Sequence, residues 1–277
     1  MLRPFLKYPG CKYRVMNRIN EMLPKGRILC DFFVGSGVTM LNTDFERYIL
    51  SDINPHLIRL YKTLQESPGE LIDLVECTFT QRNNESDVYY RTRAEFNEHT
   101  DLTDPDGMLR SSLLVWLNRH GYNGLMRLNG KGGLNVPFGS YKAVCAPLRE
   151  MEVFAQKAKR ATFYCRDYAQ SFIATRHLKS HTVYLDPPYV KESKQRKGFT
   201  GYAGNRFDLK DQERLTGFAK RRGIKTGGGV VISNHDTEVT RALYKDAIEM
   251  ESFSVHRSIS CDAQKRVKAQ ELLVRFG

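Results

Sequence analysis

The tetrapeptide Asp186-Pro187-Pro188-Tyr189 places a carboxylate, two prolines and an aromatic ring directly after the apolar run TVYL. Two successive prolines cannot donate hydrogen bonds to a sheet, so they predict the end of a strand and a stiff turn. Ligands of open α/β sheets bind at the carboxyl ends of the strands. The tetrapeptide therefore predicts a ligand site that offers a carboxylate, backbone carbonyls and a ring.

This set of groups suits a planar substrate that carries an exocyclic amine. The lone pair of such an amine is delocalised into the ring, which makes the nitrogen a poor nucleophile. Asp186 and the carbonyl of Pro187 can accept the two amine hydrogens, and Tyr189 can stack on the ring. The tetrapeptide alone indicates methylation of an amine on some planar substrate; the alternative is a strand-ending turn with an exposed tyrosine.

A second group of residues predicts the methyl donor. The segment DFFVGSG contains Asp31, Gly35, Ser36 and Gly37, and Asp52 follows about fifteen residues later. The glycines let the backbone approach a ligand, and an acid at the end of the second strand can accept both ribose hydroxyls. A third glycine for a pyrophosphate is missing, and Asp31 would repel a diphosphate. An acid there favours a ligand with a cationic amino group, such as S-adenosylmethionine.

The order of elements predicts an α/β fold with an open, largely parallel Rossmann-like sheet and helices on both faces. Apolar runs typical of strands lie at residues 28–33, 47–52, 161–167, 182–186, 228–234 and 271–276. Asn54 is placed to cap a helix from about His56 to Leu64.

The alternation of strands and helices is interrupted between about residues 57 and 144. Residues 66–118 have apolar positions at helical spacing, and Arg119–Lys142 is rich in Gly, Asn and Tyr, which favours a β-hairpin or an ordered loop. We therefore expect a catalytic domain of residues 1–56 and 145–277, and an inserted helical domain of residues 57–144 that carries a β-hairpin.

Forty-three Lys and Arg residues against thirty-one Asp and Glu residues give a formal net charge of +12. The excess is concentrated, because residues 119–142 contain four Lys or Arg and no acid, and residues 190–226 contain eleven against four. Basic side chains gain free energy on phosphate backbones by releasing counterions, so this distribution favours a polyanionic partner. A basic protein without such a partner remains the alternative.

The six cysteines are scattered, with no CxxC pair and no Cys/His cluster at the spacing of metal ligands. We also find neither an apolar run long enough for a membrane span nor a signal peptide. The expectation is a cytoplasmic protein in a reducing compartment, with no metal and no membrane association.

Eight segments resemble the Dam family of DNA adenine-N6 methyltransferases, most closely its enterobacterial members. They occur in the family's order over nearly the whole chain: FLKYPGCK (5–12), DFFVGSG (31–37), RYILSDIN (47–54), LNRHGYNGLMRLN (117–129), NVPFGSYK (135–142), YLDPPY (184–189), ISNHDT (232–237) and RSIS (257–260). The resemblance implies S-adenosylmethionine as cofactor, and the family also suggests a monomer.

The resemblance further implies which residues hold the cofactor. Tyr8, Lys12, Asp52 and Asp186 match the family's cofactor-contacting positions, with Tyr8 standing where the enterobacterial enzyme has Trp. The glycine turn would lie under the methionine moiety, and Asp167-Tyr168 would lie near the adenine.

By the same resemblance, the insertion is a target-recognition domain for double-stranded DNA. The residues expected to face DNA are Lys7, Tyr122, Asn123, Leu125, Arg127, Pro137, Tyr141 and Lys142. Arg can read guanine bidentately, Leu or Pro can meet a thymine methyl, and Tyr122 can wedge into the base stack; alternatively, Tyr122 and Tyr141 pack within the hairpin. Ser140 departs from the family, whose enterobacterial enzyme has Arg there. The family's usual site is GATC, in which the adenine must flip out of the duplex.

Three alternatives bear on the function. A cytosine-C5 methyltransferase needs a cysteine nucleophile, usually in a Pro-Cys dipeptide, and the chain contains none, so we reject this class. An N4-cytosine methyltransferase uses the same amine chemistry, although it more often has Ser in place of Asp186, and it stays open. A regulatory module that binds DNA without catalysis also stays open.

The basic residues after Tyr189 (Lys191, Lys194, Arg196 and Lys197) are expected either to become ordered over cofactor or DNA, or to form a solvated loop.

Overall fold

A computed structural model describes residues 1–189, 207–226, 228–256 and 268–277. The basic stretch that follows Tyr189 and the segment RSIS (257–260) lie outside these residues, so the expectations about them stay predictions.

The centre of the fold is a seven-stranded sheet. Its strands are β1 (Ile28–Asp31), β2 (Arg47–Asp52), β3 (Ala161–Cys165), β4 (His181–Leu185), β5 (Val230–His235), β6 (Glu249–His256) and β7 (Lys268–Phe276). Their order across the sheet is 3-2-1-4-5-7-6. β1 to β5 pair in parallel, whereas β7 runs antiparallel to both β5 and β6. The predicted largely parallel, Rossmann-like sheet is therefore confirmed.

Strand β6 was not predicted from the sequence. Its residues, EMESFSVH, are mostly polar, and Phe253 is the hydrophobic residue of this strand that the core buries. An edge strand that covers little of the core lacks the apolar run by which the other strands were found. Its position follows from pairing with β7 along the whole length Glu249–His256.

The connecting helices are α1 (Met16–Met22), α2 (Val38–Asn42), α3 (Pro55–Glu66), α4 (Pro68–Gln81), α5 (Ser86–Glu98), α6 (Met108–His120), α7 (Leu148–Ala158), α8 (Tyr168–Ala174), α9 (Leu209–Thr226) and α10 (Glu238–Leu243). Two short 3-10 helices lie at Lys12–Val15 and Tyr122–Gly124. No helix within the described ranges is long and apolar enough to cross a membrane.

Helices cover both faces of the sheet because alternate strand residues point to opposite sides. Leu29 and Leu50 belong to one hydrophobic core, which also includes residues of α1, α3 and α7. Cys30 and Val183 belong to a second core, which includes residues of α8 and α9. The predicted helical layers on both faces are confirmed.

Three helices, α4 to α6, follow α3 between β2 and β3, and a loop comes after them; the basic loop region of residues 119–142 consists of the last two residues of α6 and this loop. α6 packs against α3, α4 and α5, while α3 also contacts β2 and β3 of the sheet. In the loop the chain doubles back on itself, with antiparallel bridges between Gly121 and Phe138 and between Leu128 and Leu134. This pairing is hairpin-like but too irregular to form strands, and the division into two domains stays a prediction.

The sheet order fixes where a ligand can bind. β2 and β3 lie on one side of β1, and the chain then crosses from β3 to the other side of β1 to form β4. Such a reversal opens a crevice outside the carboxyl ends of the strands. Asp31, Asp52 and Asp186 stand at or directly after those ends, on β1, β2 and β4.

The end of β2 is joined to α3 by an asparagine cap, as the sequence predicts. The Asn54 side chain accepts hydrogen bonds from the backbone N–H groups of His56, at 3.1 Å, and Leu57, at 3.3 Å. We expect Asn54→Ala to lower the free energy of unfolding by about 1 kcal/mol, because these N–H groups lose their acceptor. Urea denaturation measures the change.

Ser67→Ala is the matched control, because Ser67 occupies the same position before α4 without a side-chain capping bond. It should change the stability by less than Asn54→Ala does. Equal losses from the two substitutions would contradict the role given to the Asn54 cap.

Candidate active site

An ion pair between a buried lysine and a half-buried aspartate holds the predicted catalytic turn. Asp186 follows β4, and its Oδ1 lies 3.1 Å from the Nζ of Lys12, whose side chain is 4% exposed. The same Nζ donates to the carbonyl of Gly10 at 3.0 Å and stands 4.5 Å from the centre of the Tyr189 ring. The N-terminal segment and the turn, far apart in sequence, thus meet at one cation.

Burial raises the pKa of Asp186 above that of an ordinary aspartate, while Lys12 and the Tyr189 hydroxyl oppose the rise. A carboxylate of raised pKa is a better hydrogen-bond acceptor than an exposed one, and the neighbouring Lys12 favours its ionised form. The pair therefore places a hydrogen-bond acceptor at the end of β4.

Tyr189 is held edge-to-face by His235 at the end of β5. The two ring centres are 4.3 Å apart and the ring planes make an angle of 71°. His235 thus packs on Tyr189 together with Lys12, which lies over the ring itself. These contacts limit the orientations that the ring can adopt.

The glycine turn requires its glycines at two positions. Gly35 and Gly37 have φ angles of +45° and +71°, which side chains of L-residues rarely adopt. A Cβ on Gly35 would lie 3.1 Å from the ring of Tyr8, and a Cβ on Gly37 would lie 2.7 Å from the ring of Phe154. Tyr8 therefore lies against the turn, as expected of a residue in the cofactor site.

Asp52 is tied to the same turn. Its Oδ2 accepts a hydrogen bond from the Gly35 N–H at 3.1 Å, and its Oδ1 accepts from the Asn54 N–H at 3.0 Å. Burial raises its pKa, and these backbone donors oppose the rise. The acid at the end of β2 and the glycine turn after β1 are thus assembled into one unit.

Asp31 is buried, with 1% of its surface exposed, and it accepts the Phe33 N–H at 3.0 Å. Burial raises its pKa to about 7, and the nearby charges of Asp186 and Asp52 add to the rise. At this depth Asp31 would act on a ligand mainly through its charge, which a poorly hydrated interior screens weakly.

The remaining predicted cofactor residues are held by hydrogen bonds or by ring contacts. The Ser36 hydroxyl donates to the Sγ of Cys11 at 3.3 Å, so it fastens the turn to the N-terminal segment. Asp167 caps α8 by accepting the Gln170 N–H at 2.7 Å. Tyr168 is buried and stacks on Phe33, a residue that the sequence analysis did not single out, with ring centres 5.9 Å apart.

Three of the predicted DNA-facing residues contact one another. The Lys7 Nζ lies 3.6 Å from the centre of the Tyr141 ring and donates to the Arg119 carbonyl at 2.8 Å. The Tyr141 hydroxyl accepts the Asn123 N–H at 2.9 Å. Burial, with a smaller contribution from Arg119, lowers the pKa of Lys7 to about 8. Tyr141 therefore organises this part of the loop, in addition to any contact with DNA.

The other predicted DNA-facing residues lie along the same loop. Leu125 and Arg127 are half-buried, whereas Tyr122, Pro137, Ser140 and Lys142 are exposed. The Arg127 Nε donates to the Asn135 carbonyl at 2.8 Å. This hydrogen bond restricts the orientation of the Arg127 guanidinium.

A row of α5 side chains that was not predicted from the sequence holds this loop by its backbone. Asn97 both accepts the Leu134 N–H, at 2.7 Å, and donates to the Leu134 carbonyl, at 3.1 Å. Arg93 and Tyr89 both donate to the Val136 carbonyl, at 2.8 and 3.1 Å. The spacing of four residues places these side chains on one face of a helix and was the available signal.

The described ranges contain no group of three or more His, Cys, Asp or Glu residues that could hold a metal ion. The groups that the site presents are carboxylates, the buried Lys12, backbone carbonyls and aromatic rings.

Comparison with known proteins agrees with this arrangement. The family model described as D12 class N6 adenine-specific DNA methyltransferase matches residues 8–259. A DNA adenine methylase of Vibrio cholerae is 44% identical over 274 residues, which cover 99% of this chain and 96% of that protein. The DNA adenine methylases of Haemophilus influenzae and Escherichia coli K12 are each 42% identical; the matches cover 99% of this chain and, respectively, 94% and 95% of those proteins. The chain therefore belongs to the D12 class of N6 adenine-specific DNA methyltransferases.

Proposed function

We propose that this protein transfers a methyl group from S-adenosylmethionine to the N6 amine of an adenine in double-stranded DNA. The observation that carries the proposal is the meeting of Asp186, Tyr189 and Lys12 beside the glycine turn bound by Asp52. The family membership supports the same reaction.

The residues present fit S-adenosylmethionine, which supplies an electrophilic methyl group when it is bound. Asp31, Asp52 and Asp186 make the site strongly acidic, with Lys12 as a counter-charge, and this balance favours a cationic ligand. Asp52 would accept the ribose hydroxyls, and the glycine turn under Tyr8 would carry the methionine moiety. Lys12 and Asp186 complete the proposed cofactor contacts, and Asp167 and Tyr168 lie at the adenine end.

The catalytic turn would prepare the amine for attack. The Asp186 carboxylate and the Pro187 carbonyl accept the two amine hydrogens, which localises the nitrogen lone pair. Tyr189 stacks on the adenine and fixes its plane. The bond from nitrogen to the methyl carbon would form as the bond from the sulfonium to that carbon breaks, the demethylated cofactor would leave, and the amine would release one proton; no covalent intermediate on the protein is needed.

Residues 57–144 would form the target-recognition domain, with residues 1–56 and 145–277 as the catalytic domain. The basic loop of residues 119–142 would meet the duplex, and the target adenine would flip into the site at a cost of a few kcal/mol. We propose GATC as the target, an assignment supported by similarity to proteins named DNA adenine methylase. We also propose that the protein acts in the cytoplasm as a monomer.

The experiment that tests the function uses the purified protein with labelled S-adenosylmethionine and two duplexes that differ only in a GATC site. Label is expected in adenine of the duplex that contains the site. Label in cytosine would instead favour N4-cytosine methylation, and equal labelling of both duplexes would refute the proposed target. Binding of DNA without any transfer would favour the regulatory module.

Removal of the catalytic carboxylate separates chemistry from binding. We expect Asp186→Ala to reduce methyl transfer by roughly 10²- to 10⁴-fold, because one amine hydrogen loses its acceptor. DNA affinity should fall by much less than the transfer rate, as a gel mobility-shift titration would measure.

Asp44→Ala is the control for loss of an ion-paired aspartate. Asp44 pairs with Arg160 at 3.0 Å on the surface, with a side chain that is 85% exposed. This variant should transfer methyl groups at the wild-type rate. Turnover by Asp186→Ala within a few fold of the Asp44→Ala rate would remove Asp186 from the catalytic role.

Cofactor affinity should depend on the ionisation of Asp31. An acid whose pKa is raised to about 7 in the folded protein is protonated below pH 7 and loses its attraction for a cation. We therefore expect the Kd of S-adenosylmethionine to rise as the pH falls below 7, by up to about tenfold per pH unit. Calorimetric titration between pH 6 and 8.5 measures this dependence.

The Asp31→Asn variant should bind more weakly at high pH and should lose the part of the pH dependence that is centred near 7. An unchanged pH profile in this variant would show that another group is responsible.

Arg127 is the predicted reader of a base edge. We expect Arg127→Ala to lower the discrimination between GATC and sites with one altered base by about 1–3 kcal/mol, the value of a good bidentate contact. The ratio of kcat/KM values for the two duplexes measures it. Lys131→Ala, which removes an exposed cation from the same loop, should preserve the ratio. An unchanged ratio in Arg127→Ala would exclude Arg127 from base reading.

A further inference from the structure

Three buried polar side chains meet behind the catalytic turn. Asn234 belongs to the segment ISNHDT, whose function the cofactor and DNA sites do not explain. Its side chain is fully buried, as is that of Tyr244, and Gln212 of α9 is 1% exposed. Polar groups this deep are costly unless their hydrogen bonds are satisfied, so their partners indicate why they are there.

The partners connect this network to the turn. The Gln212 Nε2 donates to the carbonyl of Pro188 at 2.7 Å. A carbonyl can only accept, which fixes the orientation of the Gln212 amide and turns its Oε1 inward. That oxygen accepts from the Asn234 Nδ2 at 3.2 Å and from the Tyr244 hydroxyl at 3.4 Å.

Asn234 completes the network on both sides. Its Nδ2 also donates to the Tyr244 hydroxyl at 2.9 Å, and its Oδ1 accepts the backbone N–H of His235 at 2.9 Å. His235 is the residue whose ring packs on Tyr189. The network therefore reaches Tyr189 from two directions, through the Pro188 carbonyl and through His235.

These contacts act on the groups that face the substrate. The Pro188 carbonyl is part of the peptide unit that precedes Tyr189, so its orientation sets the point from which the ring projects. Because the proline ring fixes φ at Pro188, only the ψ angle of that residue separates the orientation of this carbonyl from that of the Pro187 carbonyl. A displacement of 1 Å at reacting groups can reduce a rate about 100-fold.

We propose that Gln212 is a positioning residue for methyl transfer, oriented by Asn234 and Tyr244 so that it fixes the Pro188 carbonyl. This inference rests on the proposed function, because it assigns the acceptor and the stacking ring to the same turn. Gln212 acts on the rate of methyl transfer through the turn, and not by direct contact with cofactor or DNA.

The test compares Gln212→Met with the wild type in single-turnover methyl transfer, with S-adenosylmethionine and a GATC duplex both saturating. Methionine keeps the length of the side chain but lacks the N–H donor. The rate is expected to fall at least about tenfold, while the Kd values of cofactor and DNA stay within about twofold. Gln212→Glu, of the same size, places a carboxylate oxygen against the Pro188 carbonyl and should be at least as slow.

Thr182→Val is the control for loss of a buried hydrogen bond. Thr182 is fully buried near the opposite end of β4, where its hydroxyl donates to the Pro24 carbonyl at 2.9 Å. This variant should lose a similar amount of thermal stability and keep the wild-type rate. Melting temperatures and far-UV circular dichroism verify that every variant is folded before the transfer rates are compared.

The outcomes separate this inference from the proposed function. A wild type that transfers no methyl group to adenine would overturn both. An active wild type, with folded Gln212→Met transferring as fast as Thr182→Val, would overturn only the positioning role. A loss confined to the Kd of cofactor or DNA would also overturn it, because positioning of the turn acts on the rate.

Discussion

The ion pair of Lys12 and Asp186 is the interaction on which the site depends. The Lys12 side chain is 4% exposed, and its charge would cost several kcal/mol at this depth without a partner, so the pair favours a position of the N-terminal segment against the end of β4. With the segment in place, Tyr8 lies against Gly35 in the glycine turn. Lys7 then exchanges two backbone hydrogen bonds with Asn118 of α6, each 2.8 Å long. One ion pair therefore joins the proposed cofactor site to the proposed recognition loop.

The acidic character of the site works against stability and for binding. Burial raises the pKa of Asp31, Asp52 and Asp186, which means that the folded chain holds these carboxylates where their charged forms are disfavoured. Groups perturbed in this way cluster at functional sites more often than elsewhere. Backbone N–H donors and Lys12 offset part of the cost, and a cationic ligand would offset more. The site is therefore built for a bound state that carries additional positive charge.

The sequence predicts those parts of the fold and the candidate site whose signal lies within a few consecutive residues. Asp186-Pro187-Pro188-Tyr189 and the turn at Gly35 combine unusual residues within a few positions, and the strands before them are continuous apolar runs. The positioning network could not be predicted, because Gln212 and Pro188 are far apart in sequence and meet only when α9 packs against β5. The edge strand β6 was missed for a related reason: its residues become a strand through pairing with β7, without an apolar pattern of their own.

The proposed catalytic turn and the proposed recognition loop are held in the same way, by a polar side chain that binds a backbone group. Gln212 binds the Pro188 carbonyl, and Asn97 binds both backbone groups of Leu134. Support through the backbone does not depend on the identity of the supported side chains. Ser140, which stands where the enterobacterial enzyme has Arg, is exposed on this loop and has a φ of +51°. A change at this position can therefore alter a contact with DNA while the loop keeps its shape.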